Sequence, residues 1–356
     1  MAASKMTPKQ SFANYNENPS YANANVAMLG IACDISCTYG KGAWHGPSAF
    51  LDASFQLEHE TPATGKSFHE MVRVHNLGVI ESLREVPKAK QKHYLFQETK
   101  KISEEMVKAT EEKATKVLQD KKLLMTIGGD HSISNGVLHA LAKTHGAENV
   151  TIVHFDAHLD LRDAHEALDY SHASVMFNAR KMGFPMVQIG IRDHISEEEI
   201  EYIQKNKIQK SIYWCPSQPK GFYDSHKSKL STFLDTSLIL WDSKPSEKQM
   251  QSIFSQIKTK YVYLSIDMDV MDASLVPSTG TPLPRGLSFE TLQDISHAVI
   301  QHAKNKKISL IGFDVVEIAP LLRDPKKEYS PENVISPLVE FYAAHLAYDM
   351  LVWHFL

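Results

Sequence analysis

The sequence predicts an α/β fold built on a mainly parallel sheet. Three observations carry that expectation. Short β-branched or apolar runs alternate with helix-patterned segments along most of the chain. Several of those runs are almost continuously apolar, as strands covered on both faces must be. Neither an internal repeat nor a Gly/Ser linker divides the 356 residues.

Residues 1–25 (MAASKMTPKQSFANYNENPSYANAN) are polar and Asn-rich. They lack the apolar stretch of a secretory signal and the arginines of a transit peptide, and they predict a partly ordered arm ahead of a single domain over residues 26–356. Candidate strands begin at Val26 (VAMLGIA), Val72, Leu123 (LLMTI), Val150 (VTIVHF), Met186 (MVQIGI), Leu238, Tyr261 (YVYLSID) and Ile308 (ISLIGFDV). Helices are expected at about 91–119, 134–145, 196–206, 246–257 and 288–304. Ser196 followed by Glu197, Glu198 and Glu199 is a helix start, since a hydroxyl caps and carboxylates favour that end. Right-handed crossovers then bring ligands to the carboxyl ends of the strands.

Composition narrows the function. Lys+Arg number 38 against Asp+Glu 42, a net charge of −4, with 43% hydrophobic and 22% charged residues. Such usage excludes disorder and coiled coil, and without a polybasic run it argues against nucleic acid as a partner. No apolar run reaches the roughly 20 residues that span a bilayer, so no membrane is expected. Cys33, Cys37 and Cys215 are odd in number without disulfide spacing and predict reduced thiols in a cytoplasmic protein. Histidine is abundant, at 18.

Three strand ends carry ligand-type residues. Gly128-Gly129-Asp130-His131-Ser132 follows LLMTI, Asp156-Ala157-His158-Leu159-Asp160 follows VTIVHF, and Asp267-Met268-Asp269 closes YVYLSID. In an extended chain residues two apart share a face, so Asp156, His158 and Asp160 converge, as do Asp267 and Asp269. Either short motif alone is an ordinary turn or cap; the weight lies in each piece following its own apolar strand. Four carboxylates brought together with two imidazoles are prohibitive if buried and unpaired. Two divalent cations would neutralise them, and Asp/His ligation without cysteine favours Mn²⁺ over structural zinc.

Together, GGDHS, DAHLD and SIDMDVMD followed by PSTGTPLPRG resemble the ureohydrolase superfamily of arginases and agmatinases. Gly40-Lys41-Gly42-Ala43 with Gly46-Pro47, Gln188–Arg192 and Phe313–Glu317 also match. The resemblance runs from about Val26 to the C-terminus. It implies a three-layer α/β/α domain with about eight strands, often assembled as trimers or hexamers. It implies one Mn²⁺ on His131, Asp156, Asp160 and Asp267 and a second on Asp156, His158, Asp267 and Asp269. The bridging hydroxide would attack a guanidinium carbon, Asp160 would accept its proton, and an amine would leave urea behind. His172 matches the loop histidine that protonates the leaving amine, a task suited to imidazole. Glu317 matches the carboxylate that grips the guanidinium by a charge-assisted hydrogen bond. Asp130 is expected to orient a ligand from behind. The sequence departs from the family at Leu283, where an acidic residue is usual, and at Arg285, where glycine is frequent.

Most remaining histidines have ordinary readings. His154 lies a pleat deeper than Asp156 and is expected in the core; His139, His145, His297 and His302 are expected at the surface, and Lys304, Lys306 and Lys307 at a solvated helix end. Phe341, Tyr342, Tyr348 and Trp353 read as packing. For the substrate, the loop Leu161–Tyr170 lacks an arginase-like S-G-N stretch and offers Asp163, Glu166 and Asp169, with His165 as a further lining residue. Acidic contacts suit a cationic tail, so the small guanidino substrate expected first is agmatine, giving putrescine and urea. Guanidinobutyrate, other guanidino acids, guanidine and arginine are the alternatives, and Arg162 or Arg285 would hold a carboxylate in such a case. A silent regulatory or assembly protein of the same fold is the alternative from another class; the intact ligand set and His172 weigh against it.

Overall fold

The computed structural model describes residues 8–14, 16–61, 64–82, 92–166, 168–225, 234–241, 244–324, 327 and 329–356. Eight strands form its central sheet: β1 (Val26–Ala32), β2 (Val74–Glu81), β3 (Leu123–Gly128), β4 (Val150–Phe155), β5 (Met186–Ile191), β6 (Ile212–Trp214), β7 (Tyr261–Asp267) and β8 (Ser309–Val316). Their spatial order is β2-β1-β3-β8-β7-β4-β5-β6, and every pairing is parallel. β1, β3, β4 and β5 are buried at every residue, which accounts for their unbroken apolar sequences.

Besides the short helices Phe68–Met71 and Lys220–Ser225, the described helices are α1 (Gly46–Ser54), α2 (Lys92–Gln119), α3 (Ser134–His145), α4 (Val175–Met182), α5 (Glu197–Asn206), α6 (Glu247–Phe254), α7 (Phe289–Lys306) and α8 (Leu338–Phe355). α2 packs on α3 and α3 on α4, whereas α1 and α7 both pack on α8 and α6 on α7. These two groups flank the sheet as the outer layers of an α/β/α sandwich. Ser196 does cap α5: its hydroxyl accepts the Glu199 N–H, and the Glu199 side chain returns to the Ser196 N–H. Among the described residues, no helix is long and apolar enough to cross a membrane.

Several sequence expectations need correction. The strand expected at Leu238 is a short helical turn, Thr236–Leu238, because Asp235 accepts the Ser237 N–H and this local bond competes with strand pairing. Strand pairing there is reduced, among the described residues, to one parallel bridge, Ile239 with Trp214 of the three-residue edge strand β6. The strand expected at Val72 begins at Val74, since the Val72 N–H closes a helical turn on Phe68. Residue 91, the expected start of α2, lies outside the described residues. α8 escapes pattern reading because it is apolar all round, as a helix packed on several sides must be. The half-buried His302, expected at the surface, stacks on Phe254 with ring centroids 4.5 Å apart.

The described part of the N-terminal arm covers the β2 edge. Phe12 is buried against Phe50, with ring centroids 5.3 Å apart. Ser11 Oγ donates to the Val74 carbonyl at 2.5 Å, Asn18 Nδ2 donates to the Asn76 carbonyl at 3.0 Å, and Asn18 Oδ1 accepts the Asn76 N–H at 2.8 Å. These bonds occupy edge groups that would otherwise invite pairing with another chain.

Candidate metal centre and substrate cleft

Three neighbouring regions of the sheet deliver the acidic residues. The turn after β3 passes under the loop after β1: a side chain at Gly129 would collide with the Cys33 carbonyl, so only glycine fits. Asp130 then caps the helical turn His131–Ile133 by accepting the Ser132 N–H at 3.1 Å.

Asp156, His158 and Asp160 do meet, but not as an extended strand. β4 ends at Phe155. Asp160 holds a left-handed backbone, φ 53°, and turns its carboxylate back toward His131. Asp267 and Asp269 likewise belong to a strand end and a helical turn, with the Asp267 carboxylate accepting the Asp269 N–H at 2.8 Å. Turn geometry therefore brings these side chains together, not the two-residue alternation.

Three carboxylates surround His131 Nδ1, from Asp160 at 3.1 Å, Asp156 at 3.2 Å and Asp267 at 3.4 Å. His158 Nδ1 lies 3.0 Å from Asp269 and 3.3 Å from Asp156. Asp156 is shared: Oδ2 faces His131 and Oδ1 faces His158. Ligand atoms of His131, His154, Asp156 and Asp160 lie within 4.8 Å of one another, as do those of Asp156, His158 and Asp269. His154 is already engaged, Nε2 by Asp156 at 2.9 Å and Nδ1 by Gln188 at 3.2 Å, so it steadies Asp156 from within the core.

The donor set fits divalent cations. Burial, then Asp269 and Asp156, push Asp267 well above the usual carboxylate range. Burial acts on Asp156 in the same sense, but the neighbouring histidines, His154 foremost, hold it well below. Crowded anionic oxygens and imidazole nitrogens of this kind are relieved by metal ions.

Residues that the sequence reading missed brace the cluster. His131 Nε2 meets Ser265 Oγ at 2.9 Å, and Ser265 donates to Asp314 Oδ1 at 2.8 Å. Asp314 Oδ2 accepts from Ser134 and Tyr263. This chain leaves Nδ1 for the acidic side. The buried Arg192 guanidinium donates to the carbonyls of Asp269 at 2.6 Å, Leu283 at 2.8 Å, Met271 at 3.0 Å and Pro284 at 3.0 Å. Its match to the family motif signalled importance; its acceptors could not be read from sequence.

A cleft of about 150 Å³ opens over the cluster, lined by His131, His158, Asp160, Asp267 and Asp269 among others. His172, His165, Arg162, Asp193, Glu199 and Glu317 also line it. Glu317 has φ 59°; its Oε1 accepts the His131 N–H at 3.0 Å, while buried Oε2 lacks a hydrogen-bond partner among the described residues. Asp130 bonds no side chain of the acidic cluster; its carboxylate accepts from Ser36 and from the Ser132 N–H in the turn that carries His131. Asp163 and Glu166 are exposed and absent from the lining, and Asp169 pairs with Lys100 at 2.8 Å. Of the acidic residues outside the cluster and Glu317, the lining holds Asp193, 3.6 Å from His158 Nε2, and Glu199, whose Oε2 is engaged by Ser196. Arg285 is exposed with φ 66°, a backbone that suits the glycine frequent at this position.

A sequence profile described as the arginase family matches residues 24–214 and 238–340. The chain belongs to the arginase family. Accordingly it is a metal-dependent hydrolase of the ureohydrolase type. It is 28% identical over 336 residues to an N(1)-aminopropylagmatine ureohydrolase of Synechocystis sp., covering 94% of each chain. It is 25% identical over 315 residues to an agmatinase of Shigella sonnei, covering 86% of this chain and 83% of that one. Among solved structures, a hypothetical agmatinase from Burkholderia thailandensis superimposes with TM-score 0.64 at 26% identity, covering 96% of this chain and 90% of that one. The arginase-like sandwich expected from sequence is thus the observed fold.

Proposed function

We propose that this arginase-family chain hydrolyses the guanidino group of a linear substrate with a cationic amine tail, agmatine first, to urea and the free amine. The observation that carries the reading is Glu317. A buried carboxylate oxygen without a hydrogen-bond partner, beside an acidic metal cluster and at the wall of a cleft, suits a guanidinium.

His131, Asp156, Asp160 and Asp267 would hold one Mn²⁺, and Asp156, His158, Asp267 and Asp269 the other. When bound, these ions supply a hydroxide nucleophile near neutral pH. Glu317 orients the guanidinium so that its carbon faces the cluster. Asp160 takes up the nucleophile's proton. As the C–N bond to the tail breaks, His172 delivers a proton to the departing nitrogen, and the carbon leaves as urea. Asp193, at the outer cleft, offers a carboxylate to the tail. A tail longer than that of agmatine is compatible, as in the substrate named for the Synechocystis relative. Arg162 in the lining favours a second reading, a guanidino acid whose carboxylate it would bind.

The test is urea release from the Mn²⁺-loaded protein with agmatine, N(1)-aminopropylagmatine, guanidinobutyrate, arginine and guanidine. Turnover confined to guanidinobutyrate would replace the first reading by the second; urea from none would remove both. The proposal includes one catalytic domain over residues 26–356, in a cytoplasmic homo-oligomer of three or six copies. Light scattering and cell fractionation test the assembly and location.

A further inference from the structure

We propose that Ser36, remote from the reacting atoms, is a positioning residue that fixes the tautomer and orientation of His172. The inference rests on the assignment of His172 as proton donor in the proposed reaction.

Ser36 is buried on the loop that follows β1. Its Oγ makes three contacts: Asp130 Oδ2 at 2.9 Å, the His172 backbone N–H at 3.0 Å and His172 Nδ1 at 3.2 Å. A serine hydroxyl has one proton and two lone pairs. The Asp130 carboxylate accepts, so it takes that proton. The backbone N–H can only donate, so it occupies one lone pair. What remains for Nδ1 is the second lone pair, and Nδ1 must therefore carry a hydrogen. Proton exchange with a substrate is left to Nε2.

The same carboxylate fixes the serine itself, accepting the Ser36 N–H at 3.0 Å through Oδ2. Its other oxygen accepts the Ser132 N–H at 3.1 Å, in the turn that begins with His131. Asp130 thus ties the turn carrying a metal ligand to the imidazole through one hydroxyl. The hydroxyl contributes little to gripping substrate, and its removal lets the ring turn and adopt the other tautomer.

The experiment compares Ser36→Ala, Ser36→Thr and Ser36→Val in the full-length Mn²⁺-loaded protein, with His172→Ala and the Ser36→Ala/His172→Ala double variant. Ser36→Ala and Ser36→Val should lower kcat for urea release about ten- to a hundredfold, the range for a hydrogen bond to a group that becomes charged. KM should change less than about twofold and manganese content should be unchanged. Ser36→Thr, which keeps the hydroxyl, should recover most of the rate that its isostere Val loses. In the His172→Ala background Ser36→Ala should cost nothing further. Parental kcat in Ser36→Ala and Ser36→Val, an additive loss in the double variant, or equal losses in Thr and Val would overturn the proposal. Loss of fold or manganese in every Ser36 variant, Thr included, would make the residue structural and overturn it too. Parental kcat in His172→Ala would instead remove the assignment on which it rests.

Discussion

Replacing Arg192 by methionine keeps an unbranched apolar stem and removes the guanidinium with its donors. Four carbonyls accept closely from the guanidinium, at Asp269, Leu283, Met271 and Pro284. Leu283 O keeps the Ala273 N–H, and the exposed Pro284 can turn to water. The cost concentrates on Asp269 O and Met271 O, both in buried residues. At about 1–3 kcal/mol for each unsatisfied buried group, the loss is about 2–6 kcal/mol. For a chain of 356 residues with an unfolding entropy of about 2 cal/mol/K per residue, the melting temperature falls by about 3–8 °C. Because Asp269 is anchored through its own carbonyl, manganese affinity should fall with it. Thermal unfolding with and without Mn²⁺, together with metal analysis, measures both effects. Arg192→Lys, with three donors and no fork, should fall between parent and Met. A Met variant that melts within about 1 °C of the parent and keeps its metal would show that the carbonyls find other partners, and the reasoning would be wrong.

Further outcomes are expected. Asp269→Asn removes a charge beside His158 and should cost manganese and urea release together, by about a hundredfold or more, since even residues behind the ligands cost about 10–100-fold; turnover without bound metal would contradict the centre. Gly129→Ala places a methyl against the Cys33 backbone and should destabilise by about 1–3 kcal/mol, toward the upper end because the obstacle is backbone, read by denaturant unfolding. Burial pushes Glu340 up to about 7 from an ordinary 4.5, and its Oε2 lacks a partner among the described residues. A raised carboxyl stabilises the fold fully below the unfolded value and loses that contribution as pH rises through the folded one. Glu340→Gln should therefore gain up to about 3 kcal/mol over the parent above pH 7 and almost nothing near pH 4.5; equal melting differences at both ends would refute it.

The acidic cluster was legible in the sequence because each of its segments follows an apolar strand whose end must lie at one edge of a parallel sheet. Asp267 and Asp269 needed only β7, and Asp156, His158 and Asp160 only β4, even though local turns rather than strand parity bring them together. Ser265, Asp314 and Ser36 were illegible because they act through hydroxyls and carboxylates far apart in the chain, and a lone serine carries no pattern. Asp163 and Glu166 are near the cluster in sequence, yet both are exposed and outside the cleft lining, with a left-handed backbone at Glu166. Asp193 and Glu199, from the next strand–helix junction, take the place beside the cleft. At Leu238 an apolar residue suggested a strand, but the capping aspartate three residues earlier decided the backbone.

The strand order has a bearing on how the protein is made. β8, the last strand of the central sheet to be synthesised, lies between β3 and β7 in the middle of that sheet. A nascent chain that has not yet emitted residue 309 holds β2-β1-β3 on one side and β7-β4-β5-β6 on the other, with no strand to join them. His131 rides on the first block, and the five aspartates and histidines that complete the proposed centre ride on the second. Vectorial folding can prepare both halves but cannot close the site. The second block alone carries Asp156, His158, Asp267 and Asp269, the whole proposed ligand set of one ion, whereas the ion that needs His131 waits until β8 joins the blocks, and chains truncated before it should present two exposed sheet edges.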